Sequence, residues 1–249
     1  MGKNKLRKFA EMETLPCVFQ YPFSVLRSEG GCPMRGKWNS DYFRNGNPIV
    51  VELGCGKGEY AVGLAQTTPD RNFIGIDIKG ARMWTGACRV RDLGLTNCAF
   101  LRTGIELLDE FFAAGEVSEI WITFPDPQMK KVNKRLTGTR FLELYRKVLR
   151  PDGRVNLKTD SPFLYTYTRE MLRHNGLTPD ADTADLYASE LAASLPPIRT
   201  FYEQQWLDRG LTIKFLSWML PPSPPLSEPE IEIEPDTYRS FGRGELQGF

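Results

Sequence analysis

The sequence predicts an α/β protein: one doubly wound, mostly parallel sheet with helices on both faces, forming a single large domain. Three observations predict it. From Pro48 onward, short apolar β-rich runs alternate with helix-like segments. With 249 residues and 41% hydrophobic content, the chain can bury one sizeable core. Glycines and acids gather directly after the apolar runs, where the strands of a parallel sheet present their ligands.

The runs IVVEL (49–53), NFIGIDI (72–78), CAFL (98–101), EIWITF (119–124) and GRVNLKT (153–159) read as five buried strands. The segments around Tyr60–Gln66, Gly80–Leu93, Glu106–Ala114 and Gly138–Leu149 read as crossover helices. Ser161 and Pro162 suit the N-cap and first turn of a helix running to about Asn175. After a loop-rich stretch with Pro179, Pro196 and Pro197, Thr200 opens a helix that Gly210 closes, and TIKFLSWML (212–220) reads as a last strand. The main domain therefore spans 48–220. Residues 1–47 form a basic arm, Gly2 to Lys8, and a lead-in without clear periodicity beyond a short helix near Asp41. Residues 221–249 are a Pro- and Glu-rich tail, expected to be extended.

The formal charge of +1 hides a segregation: the stretch from Ser223 carries six acids against two bases, so the body is basic. No apolar run approaches the roughly 20 residues of a membrane span, and MGKNKLRKFAEMETL lacks the apolar core of a signal peptide. A soluble, cytoplasmic protein is expected. Five cysteines without a C-x-x-C pair suggest reduced thiols rather than disulfides, and no metal site is expected. His174, the single histidine, can anchor no histidine-based triad and suits a helix C-terminus.

The first strand runs into Glu52-Leu53-Gly54-Cys55-Gly56-Lys57-Gly58. Glycines there remove Cβ atoms and permit positive φ, so a ligand can approach bare backbone. The dinucleotide fingerprint would need glycine where Glu59 stands, and an acid at Glu52 repels a pyrophosphate while favouring a cationic sulfonium amino acid. Asp77, at the end of the second strand, can accept two hydrogen bonds from a ribose diol. Together Glu52, Gly54, Gly56, Gly58 and Asp77 favour an S-adenosylmethionine site, with a Rossmann nucleotide site as the nearest rival.

The fourth strand ends in Pro125-Asp126-Pro127, so a proline-stiffened backbone presents Asp126 at the ligand end of the sheet. Lys130, Lys131, Lys134 and Arg135 follow within ten residues, a cluster that a turn does not need and a phosphate backbone does. Asp160 ends the fifth strand and would face the same cleft, although it also suits the helix start at Ser161-Pro162. A carboxylate there can accept from N1–H and the N2 amino group of guanine. Thr200-Phe201-Tyr202-Glu203 fits the S/T-x-x-E capping box, a structural job.

The order E-x-G-x-G-x-G, G-I-D, F-P-D-P-x-x-K-K-x-N-K-R, K-T-D and T-x-Y-E resembles the bacterial tRNA (guanine-N7-)-methyltransferase family, over roughly Lys3 to Leu220. The F-P-D-P block with N-K-R discriminates; the glycine motif alone is shared by class I methyltransferases. The resemblance implies a Rossmann-like class I methyltransferase fold and methyl transfer from S-adenosylmethionine to N7 of a guanine in the tRNA variable loop. It implies that Glu52, Asp77 and Asp126 line the methyl-donor site and that Lys130, Asp160 and Thr200 to Glu203 contact tRNA. Thr103-Gly104 stands where family members carry an Asn-Ala or Asp-Ala pair beside the adenine. Because guanine N7 carries no proton, Asp126 and Asp160 are expected to act by holding the base and stabilising its positive charge. Two other readings stay open: a methyltransferase for another RNA or a small molecule, and a non-catalytic RNA-binding protein with this fold.

Overall fold

The structure, a computed structural model, describes residues 2–28 and 32–238. Helix α1 (Gly2–Thr14) leads into a two-residue strand β1 (Val18–Phe19), a short helix α2 (Phe23–Ser28) and a π-helical turn at Trp38–Phe43. The alternating part follows as β2 (Ile49–Leu53), α3 (Glu59–Thr67), β3 (Asn72–Ile76), α4 (Gly80–Leu93), β4 (Cys98–Leu101), α5 (Leu108–Phe111), β5 (Val117–Thr123), α6 (Thr139–Arg146), β6 (Leu149–Thr159) and α7 (Pro162–His174). The end is built from β7 (Ala181–Thr183), α8 (Leu191–Ser194), α9 (Phe201–Leu207) and β8 (Lys214–Met219).

Among the described residues these strands form one sheet in the order β1-β4-β3-β2-β5-β6-β8-β7. Neighbours are parallel except for the β6–β8 and β8–β7 pairs. Every residue of β2, β3 and β4 is buried, as expected of strands covered on both faces. One face packs Phe111, Phe112, Leu142, Tyr145 and Leu164 from α5, α6, α7 and their ends; the other packs Tyr60, Leu64, Met83 and Val90 from α3 and α4. The chain winds from β2 outward through β3 and β4, then restarts on the other side of β2 with β5. That reversal opens a crevice at the carboxyl ends of β2 and β5.

The elements differ from the expectation in four places, one being that the loop-rich stretch before Thr200 carries β7 and α8. The lead-in is structured: Met12 of α1 is fully buried, Trp84 of α4 donates to Glu11 at 2.7 Å, and β1 pairs in parallel with Phe100 and Leu101. Trp38 is sealed under the sheet with its indole nitrogen on Phe111 O at 2.9 Å. The helix expected over 106–114 is a 3-10 turn at Ile105–Leu107 and one α turn, because buried Phe112 leaves the helix in extended geometry. β6 starts at Leu149 rather than Gly153, since Leu149 already pairs with Val117 before an irregularity in the register.

The tail from Pro221 to Asp236 forms no helix or strand and is pinned to the body. Arg146 donates to Pro224 O, Leu226 N to Glu143, and Glu228 accepts from Thr139 and Tyr167. Leu226 and Ile233 pack against the core. Residues 239–249 lie outside the described residues.

Candidate active site at the strand ends

After β2 the backbone turns through Gly54, Gly56 and Gly58 at φ of 76°, 55° and 71°. These are left-handed conformations that a side chain resists. The three glycines have two different jobs. A Cβ built on Gly54 meets nothing within 4 Å, and one on Gly56 meets only Gly54 O at 3.9 Å, so both offer bare backbone to the crevice. A Cβ on Gly58 would stand 2.4 Å from the Phe100 ring and 3.4 Å from Gly86, so Gly58 lets α3 close onto α4 and β4. Packing accounts for this third glycine without a ligand.

Two acids hold the loop. Glu52, with 3% exposure, accepts from Thr123 Oγ1 at 2.7 Å and from Ala61 N at 2.9 Å. Burial pushes its carboxyl up to about 7 against these bonds. Asp77 accepts from Gly56 N at 2.9 Å and Lys79 N at 2.7 Å, which binds the end of β3 to the glycine turn. Ile78 beside it is 65% exposed, an apolar surface on the rim. Thr103, buried, and Gly104 follow β4 on the same side, where Asp77 N reaches Leu101 O. Acceptors, open glycine backbone and an apolar rim fit an adenosyl group carrying a cationic amino acid.

The next strand end is strained. Phe124 and Gln128 have φ of 49° and 48°, a left-handed geometry that is costly for residues with a Cβ and is concentrated at functional sites. They bracket Asp126, which is exposed and whose Oδ1 accepts from Gln128 N at 3.0 Å. Phe124 N bonds Lys158 O at 2.8 Å, and Thr123 pairs with Lys158. Asp126 and Asp160 thus stand just past the last paired residues of adjacent strands. Asp126 faces solvent, whereas Asp160 is fully buried, its Oδ2 accepting from Tyr238 Oη at 2.5 Å.

Lys130, Lys131 and Lys134 are exposed beside Asp126. Arg135 is not with them. It is 7% exposed, donates to Gln128 O at 3.2 Å and Met129 O at 2.8 Å, and lies over the rings of Phe163 and Tyr167. The phosphate contact expected of Arg135 does not suit this place; its guanidinium braces the loop that carries the lysines.

Thr200 to Glu203 open α9 with the expected capping box, Thr200 Oγ1 accepting from Glu203 N and Glu203 accepting from Thr200 N. Glu203 is fully buried and also binds Lys158 Nζ at 2.7 Å and Tyr187 Oη at 2.6 Å, so it anchors rather than faces a substrate. Burial draws Lys158 below the ordinary lysine range, opposed by the Glu203 carboxylate. Phe201 is 55% exposed and Tyr202 half-buried at the surface of this turn. Phe201 N donates to Glu59 Oε2 at 2.9 Å, and Lys57 Nζ lies 4.1 Å from the Phe201 ring centroid. The turn therefore leans on the glycine loop. Sequence reasoning missed Lys57, Glu59, Lys158 and Tyr187 as its supports; the first two flank the last glycine and the third lies inside K-T-D, but nothing local marks Tyr187.

Residues 46–216 match the family described as "Putative methyltransferase". The chain is 57% identical over 248 residues to the tRNA (guanine-N(7)-)-methyltransferase of Bacteroides fragilis, covering 100% of this chain and 98% of that one. It is 63% identical to the protein of that name from Porphyromonas gingivalis, over 93% of this chain and 96% of that one. A more distant relative of the same name, from Levilactobacillus brevis, is 37% identical over 72% of this chain and 82% of its own. Among solved structures, the 16S rRNA methyltransferase KamB superposes with a TM-score of 0.57 at 14% identity, over 82% of this chain and 95% of that one. An antibiotic-related methyltransferase gives 0.53 at 17% identity, over 72% of this chain and 90% of that one. These two likenesses speak to the fold alone, a Rossmann-like methyltransferase fold. Among the described residues, no helix is long and apolar enough to cross a membrane, and no group of three or more metal-ligating side chains gathers. Sequence and fold agree: the chain belongs to the tRNA (guanine-N(7)-)-methyltransferase family.

Proposed function

We propose that the protein transfers a methyl group from S-adenosylmethionine to N7 of a guanine in the variable loop of tRNA, forming 7-methylguanosine. The observation that carries this reading is the adjacency of β2 and β5, whose carboxyl ends carry the Glu52–Gly54–Gly56–Asp77 loop and a strained loop with an exposed acid and three exposed lysines. The names of the relatives support the tRNA substrate.

S-adenosylmethionine, when bound, supplies an electrophilic methyl on a sulfonium. Asp77 takes the ribose hydroxyls, the bare backbone of Gly54 and Gly56 admits the donor, and Glu52 favours its positive charge. Thr103, Gly104 and Ile78 border the place for the adenine. Guanine N7 carries a lone pair and no proton, so no side chain has to act as a general base. What remains for the protein is orientation and electrostatics. Asp160, at a rigid strand end, holds the guanine edge through its N1–H and N2 amino donors. Asp126 stabilises the positive charge that moves onto the purine. Lys130, Lys131 and Lys134 hold phosphates, and the Phe201–Tyr202 surface of the α9 turn borders the base.

The test is methyl incorporation into an unmodified tRNA transcript compared with one made with 7-deazaguanine, which lacks the N7 lone pair. Transfer to the first and none to the second is expected. Equal transfer to both would overturn N7 as the acceptor.

A further inference from the structure

The tail does not run over an inert surface. From Glu228 it passes the start of α6, reaches the loop of Asp126, and closes on Asp160. Asp236 N meets Met129 Sδ at 3.1 Å, next to Lys130, while the Asp236 carboxylate accepts from Ser161 Oγ at 2.5 Å and Phe163 N at 3.0 Å. Two residues later Tyr238 donates its hydroxyl to Asp160 Oδ2 at 2.5 Å, with its ring edge-to-face against Trp206 at 5.5 Å. Asp160 itself has no exposure.

We infer that the C-terminal strap is a self-occluding plug in which Tyr238 takes the place of the substrate guanine on Asp160, so that tRNA must displace it to be methylated. This rests on the reading that Asp160 holds the guanine edge. Three observations carry it. A ring bearing a donor, set against a carboxylate, is the chemistry that guanine itself would bring there. The strap is also fastened upstream, through Glu228 and Asp236. Glu230, Glu232 and Glu234 are exposed on the strap, whose path meets the loop of Lys130 and Lys131. Phosphates arriving on those lysines repel the strap's carboxylates, which couples RNA docking to release of the plug.

A plug that must open lowers apparent substrate affinity by the fraction of time the site is closed. Removing one hydroxyl–carboxylate bond, at about 1.4 kcal/mol, shifts that balance about tenfold. The experiment is steady-state methylation of unmodified tRNA by the full chain and by Tyr238→Phe, with Asp160→Asn made in both backgrounds. The expected result is a KM for tRNA about tenfold lower in Tyr238→Phe, with methylation lost in both Asp160→Asn proteins. If Asp160→Asn removes methylation but Tyr238→Phe leaves KM unchanged or raised, the plug is overturned and the guanine site stands. If Asp160→Asn methylates normally, the guanine does not use Asp160, and the plug falls with that reading.

Discussion

Lys158 Nζ lies 2.7 Å from Glu203 Oε1, with the two side chains 2% and 0% exposed. The pair ties the end of β6 to the cap of α9 and so holds the Thr200–Glu203 turn over the glycine loop. Breaking a buried pair leaves a charge without its partner, at a cost of about 3–5 kcal/mol. Glu203→Gln should therefore lower unfolding stability by that order in urea, whereas Lys158→Met combined with Glu203→Gln, which keeps hydrogen-bond partners for Thr200 N and Tyr187 Oη, should recover most of it. Loss of stability in the double variant equal to or beyond that of Glu203→Gln would contradict this account.

Glu52 makes stability depend on pH with a definite sign. Its folded-state value, about 7, lies above the ordinary 4.5, so between these values the folded protein holds a proton that the unfolded chain has released. The contribution of this group to stability is present below about 4.5 and is lost as pH rises through about 7. The loss amounts to ~3 kcal/mol. Glu52→Gln should remove this slope, and its unfolding free energy should gain on the native protein across that window. Binding of S-adenosylmethionine should show the opposite trend, tightening with pH as Glu52 ionises, and Glu52→Gln should flatten it. Calorimetry at several pH values checks both.

The glycines separate packing from ligand approach. Gly58→Ala forces a Cβ to 2.4 Å from the Phe100 ring at a φ of 71°, and should cost several kcal/mol in thermal or urea unfolding. Gly54→Ala meets no neighbour, so only its φ of 76° is penalised, at about 1 kcal/mol. Its larger effect should fall on S-adenosylmethionine affinity. Equal losses of stability in the two variants would contradict the division of labour.

The lysines and Arg135 should respond differently to mutation. Each of Lys130→Ala, Lys131→Ala and Lys134→Ala should weaken tRNA binding and reduce the salt slope by about 1, with little effect on folding. Arg135→Ala should instead loosen the loop and lower stability by about 1–3 kcal/mol, because two carbonyl oxygens and two aromatic faces lose their cation. Filter binding across a salt series distinguishes them.

Much of this was legible in the chain because a parallel sheet writes its site at the ends of apolar runs. Glu52, Asp77, Asp126 and Asp160 each lie at or just past such an end, and the structure sets them along the carboxyl edges of β2, β3, β5 and β6. Arg135 was not separable from its lysine neighbours, since a run of bases does not say which one finds two backbone carbonyls and two rings. Glu203 looked like a local cap and is one, but its tie to Lys158 joins residues 45 positions apart, which periodicity cannot register. The two-residue β1 and the tail strap carry no repeat at all; each is held by individual hydrogen bonds to elements distant in the chain.

The decisive measurement is nucleoside mass spectrometry of unmodified tRNA incubated with the protein and S-adenosylmethionine, followed by mapping of the modified position. 7-Methylguanosine is expected in the variable loop, and none with Asp126→Ala or Asp160→Ala. A different methylated nucleoside, or none from a folded protein that binds the methyl donor, would contradict it.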